Sequence, residues 1–383
     1  MQKAFALSFL LFFSVGAFSQ NKMRKKETGS AAGIKIQMQA ERWEAKPGKL
    51  EFITHKSTPA LKILPDAGKV VLKDFIFSDG TIEFDVEPVD PPFTGVYFRR
   101  QDDNEAEYVY LRVGTAGKPM AMDAVQYVPY IKGVNLWNLL GHYQGPAPIK
   151  SKEWNHIKLV VSGKQMRVYV NDLSSPALHI TRLEGNTMQG GLAFDGSSII
   201  ANLVIKPNET EGLISTEGVD PTYNDTRYIR QWAVSQPMPL PKGSELTNED
   251  LPKADAQWEN IEAERRGLVN LSRRFGKSET RQVVWLKVKM VAASAQKRQL
   301  HFGFNGEVWV FLNGQIAYVD KNFYRQPIMK EPEGRVSIEN TSFSLPLKAG
   351  ENELVIGVAV TNIFGWGIVA RLDSMEGLTF TKL

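Results

Sequence analysis

Three carboxylates share one face of a predicted strand: Glu83, Asp85 and Glu87 alternate with Ile82, Phe84 and Val86. Strand side chains two residues apart point the same way, so acids gather on one face and apolar groups on the other. Two carboxyls about 5–5.5 Å apart can act as nucleophile and acid/base on a glycosidic bond. Glu83 is the catalytic candidate of this strand. A half-solvated strand with no chemistry shows the same alternation. Pro88 follows directly, and no Trp-rich segment surrounds the motif.

A second constellation mixes rings with arginines. In the run 107–113, Tyr108, Tyr110 and Arg112 share one face, and Val109 and Leu111 the other. The aliphatic face belongs in a core, so the Tyr/Tyr/Arg face lines the opposite side of the sheet. Tyr97 and Arg99 follow the same logic on the preceding strand. Aromatic rings offer flat apolar faces to sugar C–H groups, and arginine offers a fork of donors for hydroxyls or carboxylates. Asp123, Gln126, Tyr127, Asn135 and Trp137 crowd into the next short span. The ligand-binding candidates are therefore Tyr97, Arg99, Tyr110, Arg112, Asp123, Gln126 and Trp137. The alternative is a solvated outer face with cross-strand pairs. If this region cleaves its ligand, the acid/base comes from Asp123, Glu83 or Tyr110.

The loop Gln101-Asp102-Asp103-Asn104-Glu105 places Asp102 and Asp103 close together. Calcium would need several oxygens there at short range, and a hydrated hairpin loop explains the same residues. No cofactor is expected, with calcium the one possibility. The five histidines show no zinc-site spacing. Gly-x-Ser-x-Gly elbows and phosphate-binding Gly-rich loops are absent, which argues against serine hydrolases and nucleotide enzymes. The chain has no cysteine, so disulfides, thiolate metal sites and cysteine nucleophiles are excluded. The formal charge is +4, and the one Lys/Arg block is 22–26. Nucleic acid is not an expected partner.

These candidates need strands to hold them. Residues 1–20 read as a secretory signal peptide, with Lys3 ahead of an apolar run from Ala4 to Phe18. No later segment is long and apolar enough to span a membrane, so no integral membrane segment is expected after cleavage. The protein is expected in the periplasm or outside the cell. Residues 21–35 are polar and basic and are expected to be disordered. From 36 to 206, short alternating runs lie between Gly, Pro, Asp and Asn clusters, which predicts a β-sandwich. The clearest strands are 81–86, 94–99, 107–113, 154–161, 166–170 and 199–206. Residues 207–227 have no apolar period and read as a linker. A second sandwich is expected over 228–383, with strands at 228–234, 282–291, 298–304, 341–345, 353–361 and 367–372. Within it Asn313-Gly314 predicts a two-residue type I′ hairpin turn. Val308, Val310 and Leu312 lie on one face of its first strand and Trp309 and Phe311 on the other, so both faces should be covered. The fold class is all-β, two β-sandwich (jelly-roll) domains in tandem.

Several stretches also carry family resemblances. The run Glu83-Phe84-Asp85-Val86-Glu87 looks like the Glu-x-Asp-x-Glu strand of retaining endoglucanases. Asp79–Val86, Gly95–Arg99, Tyr110–Arg112, Asp123–Tyr127 and Trp154–Lys158 together resemble the concanavalin A-like and laminin G-like sandwiches, and more narrowly the 3-keto-disaccharide hydrolase-like family. Trp258–Leu271, Leu347–Leu354, Asn362–Gly367 and the Asn313-Gly314 hairpin resemble the galactose-binding-like domain. In that resemblance ligands meet loops at one end of the sandwich. Trp366, between two glycines, would be either a stacking platform or a plug, and Glu264, Arg266 and Asn270 would tie down the entry loop. The resemblances imply an exported glycan- or polysaccharide-binding protein without catalysis. The alternatives are a glycoside hydrolase or lyase acting in the first sandwich, and a structural cell-envelope protein.

Overall fold

The computed structural model describes residues 33–360 and 364–381. The predicted signal peptide, nearly all of the predicted disordered segment and residues 361–363 of the aromatic loop lie outside the described residues. One correction falls at that edge. Ile34–Lys35 is a strand, paired with Ile205 and Val204. Ile34 also packs against the first core, so a free edge and apolar contact order the end of a segment whose composition is polar.

The described residues are almost all β. Two sheets face each other in the first half, and every pairing is antiparallel. The first sheet runs in the order Leu178–Ile180, Gln165–Val170, Asn155–Ser162, Gly80–Pro88, Ser198–Pro207, Thr58–Ile63 and Leu50–His55. The second runs Val134–Asn135, Val125–Ile131, Ala106–Arg112, Phe93–Arg100, Gly191–Asp195, Val70–Leu72 and Trp43–Glu44. The predicted alternation decides what lies between them. Ile82, Phe84 and Val86 come from the first sheet, and Val96, Phe98, Val109 and Leu111 from the second. These apolar faces meet in one core, as the period of two requires.

The predicted linker is mostly exposed, yet it is strapped to the first sandwich. Leu213 is buried against Val160 and Tyr169. Ser215 O accepts from Lys164 N at 2.9 Å, and Gly218 N donates to Thr181 O at 2.8 Å. Backbone hydrogen bonds, more than apolar burial, hold the segment in place.

The second half builds another pair of sheets. One runs Glu259–Glu262, Gln231–Val234, Gln282–Ala292, Gly350–Val360, Gly306–Leu312 and Gln315–Asn322. The other runs Leu268–Asn270, Gly367–Leu372, Gln296–Phe304 and Thr341–Leu347. Asn313 and Gly314 both have positive φ (53° and 78°), and Leu312 pairs directly with Gln315. This is the expected two-residue hairpin. Val308, Val310 and Leu312 enter the main core, while Trp309 and Phe311 enter a satellite core with Leu240, Leu246 and Trp285. Both faces of the strand are covered, the outer one by the segment that carries Leu240, Leu246 and Trp258. Trp366 is fully buried in the main core, so it is a plug.

Candidate functional site

The Tyr-bearing face of the second sheet lies opposite the core. Its strands bring Tyr97, Tyr108, Tyr110, Val128, Tyr130 and Ala193 onto one surface, where they cluster with Trp137. Tyr97 and Tyr108 stack with ring centroids 4.0 Å apart, and Tyr108 and Tyr110 at 5.2 Å. Phe93 meets Tyr110 edge-on at 5.1 Å. The rings therefore use their flat faces on one another. Tyr97, Tyr108 and Tyr110 retain only 2%, 4% and 4% exposure. The face offers hydroxyls and ring edges, not the open stacking platform expected from its residue types.

At one end of the ladder the hydroxyls converge on Asp195, the last residue of strand Gly191–Asp195. Tyr97 Oη donates to Asp195 Oδ2 at 2.8 Å, and Tyr108 Oη to Oδ1 at 2.7 Å. Gly95, paired with Asp195, makes this possible. A Cβ there would lie 2.5 Å from the Tyr108 ring, so only glycine lets that ring cross the strand. Burial pushes the Asp195 carboxyl up to about 6, although both tyrosine hydrogen bonds and nearby Lys69 favour its charge. Lys69 Nζ lies 5.1 Å from the Tyr97 ring centre and 4.9 Å from that of Tyr130. A cleft of about 290 Å³ opens here, lined by Leu64, Asp66, Lys69, Tyr97, Asp195 and Ser197.

At the other end, five of the seven expected ligand residues meet. Tyr110 Oη donates to Gln126 Oε1 at 2.8 Å, and Arg112 Nη2 donates to the same oxygen at 2.7 Å. Arg112 Nη1 reaches Asp123 O at 2.5 Å, and its Nε lies 3.5 Å from Asp123 Oδ2. Gln126 Nε2 donates to Trp137 O at 3.1 Å. Burial pushes Tyr110 up to about 12, so it remains a protonated donor at neutral pH. Trp137 does not face open solvent. Tyr324 and Phe364 of the second sandwich pack on it at 4.8 and 5.4 Å between ring centres, and Arg335 lies 5.1 Å over its ring.

Other expected residues lie elsewhere. Arg99 does not share the Tyr97 face. Its φ of 49° turns the chain opposite an irregular register of the neighbouring strand. Its Nε then donates to Ser78 O and its Nη2 to Asp79 Oδ1, at 2.8 and 2.7 Å, and the side chain is fully buried. Strict alternation cannot anticipate a bulge. Glu83 sits on the first sheet, away from the tyrosine face, and accepts from Lys206 at 2.9 Å. Its partners on the strand are matched too, Asp85 with His156 at 2.8 Å and Glu87 with Lys56 at 2.6 Å. Those three carboxylates form a cross-strand ion-pair ladder and do not converge with Asp123 or Tyr110. Asp102 caps its own loop through Asn104 N and Glu105 N, and Asp103 binds Lys69 and Arg100, each at 2.9 Å. Among the described residues no group of three His, Asp or Glu side chains is arranged for a metal ion.

Asp195 and Lys69 were not among the sequence candidates. The signal for Asp195 was an acid ending a strand whose Leu192 and Phe194 face inward. Lys69 lies directly before the three-residue strand Val70–Leu72, which is too short to read by period.

No protein-family model matches the chain, and no curated protein matches it. Among solved structures, it is similar to a carbohydrate binding module, CBM66, from Bacillus subtilis, at 14% identity over 43% of this chain and 92% of that one, with a TM-score of 0.31. A structure described as a native glycosidic hydrolase matches at 12% identity over 48% and 99%, with a TM-score of 0.34. A Bacillus licheniformis β-glucanase matches at 10% identity over 48% and 100%, with a TM-score of 0.33.

Proposed function

We propose that this is an exported glycan-binding protein whose first sandwich takes a sugar unit in the cleft between Tyr97, Asp195 and Lys69. The observation that carries this reading is the half-buried carboxyl of Asp195, fixed by two tyrosine hydroxyls at the wall of a cleft. Sugar hydroxyls need donors and acceptors held in place in a mostly dry pocket. Tyr97 Oη and the Asp195 carboxylate supply acceptors, Lys69 supplies a cationic donor, and the packed ring ladder lies behind them. Arg112, Gln126 and Asp123 would meet a longer chain at the far end of the same face.

A glycan panel titrated against the whole protein by calorimetry tests it. The wild type should bind at least one neutral oligosaccharide. Asp195→Asn and Lys69→Ala should each weaken that binding by about tenfold or more, with the loss of a hydrogen bond to a charged group. Retention of wild-type affinity in both variants would remove the site.

One observation also favours catalysis. A carboxyl at about 6 can exchange protons near neutral pH, and Asp66 is a second carboxylate of the same cleft. Under that reading the wild type releases shortened products from a bound glycan, and Asp195→Asn stops their release. Binding without any product over long incubation selects the binder.

A further inference from the structure

A second cleft, of about 350 Å³, opens between the two sandwiches. Leu140 and His142 of the first half line it, together with Tyr228, Arg266, Arg335 and Ser337. Ligand pockets run from roughly 300 to 1,000 Å³ and favour domain boundaries, so size and place are both ordinary for a ligand. Its charge is not. Arginines 265, 266 and 335 line it, and no Asp or Glu does.

The three arginines differ in what they are free to do. Arg265 is occupied: its guanidinium donates to Gly218 O at 2.5 Å and to Val219 O at 3.1 Å. Arg335 is buried, with 2% side-chain exposure, and its Nε has no partner among the described residues. One of its terminal nitrogens binds Gln144 and the other binds Glu333, at 3.0 Å, whose own side chain is 53% exposed. Burial and the nearby Arg112 guanidinium both work against its charge. A buried charge so weakly compensated is costly unless an anion joins it. Arg266 is exposed and makes no side-chain hydrogen bond or ion pair among the described residues. Its backbone is nonetheless fixed. It holds a left-handed φ of 58°, and its N–H donates to Asp220 Oδ1 at 3.0 Å. Asp220 is itself taken by Thr222 and Arg230. A strained backbone pinned by a carboxylate therefore presents a free guanidinium at the cleft.

We propose that this cleft is a second binding site, which takes a carboxylate-bearing sugar unit, a uronate, on Arg266 and Arg335. A guanidinium accepts a carboxylate through paired N–H donors. Tyr228 and Leu140 give apolar wall, and Ser337 gives a hydroxyl. That the anion is carried on a sugar rests on the glycan reading above; that the site takes an anion does not. Because both sandwiches line it, occupation would bridge them.

The test titrates the whole protein with tri-galacturonate and with neutral trigalactose. Tri-galacturonate should bind, more weakly as salt rises. Arg266→Glu should weaken it about tenfold or more without moving the melting temperature, because the replaced guanidinium has no partner. Arg335→Gln should also weaken it, and Arg266→Lys should restore part of the loss. Hydrogen exchange should slow on both rims, near 265–267 and 335–337. Asp195→Asn should leave this binding intact, so a failure of the Asp195 site and a failure of this one are separable. Wild-type affinity in Arg266→Glu, equal binding of trigalactose at the cleft, or protection confined to one sandwich would overturn the proposal. So would binding of inorganic sulfate with no binding of tri-galacturonate, since the site would then take a bare anion and no sugar.

Discussion

Asp195 draws its chemistry from three neighbours of different kinds. Two tyrosines donate to it, burial opposes its charge, and a glycine across the strand lets one of those rings approach. Its pKa of about 6 lies above the ordinary 3.8, so the fold favours the protonated form. The stabilising contribution is complete below about pH 3.8 and is lost as pH rises through about 6. About two pKa units correspond to roughly 3 kcal/mol at most. Asp195→Asn removes this titration. Denaturant melts of both proteins from pH 4 to 7 should therefore show the wild type losing stability relative to the variant across that window. A constant difference between them would mean that Asp195 is not held near 6. Glu107, fully buried and pushed up to about 7 chiefly by desolvation, titrates in both proteins and cancels in the comparison.

At the level of elements, turn chemistry and strand period explain most of what the site needs. Tyr108, Tyr110 and Arg112 project together because strand residues alternate, and Val109 and Leu111 project into the core. The irregularity at Arg99 breaks that rule once and sends an arginine inward to Asp79. The Asn313-Gly314 turn is local chemistry of the same kind. A Cβ at Gly314 would meet nothing within 4 Å, so only the backbone penalises a substitution. Gly314→Val should cost about 1–2 kcal/mol, the penalty of left-handed backbone for a branched residue. Gly314→Asn should cost less, since asparagine tolerates that conformation. Thermal melts that rank the two variants the other way would reject the turn as the cause.

Across the whole molecule, the second sandwich completes the face of the first. Tyr324 and Phe364 close over Trp137, and Asn135 bridges to Phe364. Asn138 is the fastener. Fully buried, it donates to Gly365 O and accepts from Gly365 N, each at 2.8 Å, and its own carbonyl accepts from Val336 N. Asn138→Ala would leave two buried backbone groups of Gly365 unpaired, at about 1–3 kcal/mol. We expect the variant to melt lower and to be cut faster within 207–227 by limited proteolysis. Equal cutting rates in the two proteins would show that the strap along the first sandwich, not the docking of the second, protects that segment.

The alternating runs at 81–86, 94–99, 107–113 and 282–291 are strands because a period of two sorts apolar from polar side chains locally. The Asn313-Gly314 turn is equally local. Which residues share a strand face was therefore legible, and with it the common projection of Tyr108, Tyr110 and Arg112. Ion pairing was not. Glu83 was a catalytic candidate beside the reading of a half-solvated strand, and its partner Lys206 lies 123 residues away in the chain. Asp195 was passed over because its tyrosine partners lie 87 and 98 residues from it. Ring stacking turned an expected open platform into a packed ladder, and the second sandwich covered Trp137. Periodicity is a property of neighbours in sequence. Burial, pKa and the choice of partner depend on which strands lie side by side, and tertiary structure alone decides that.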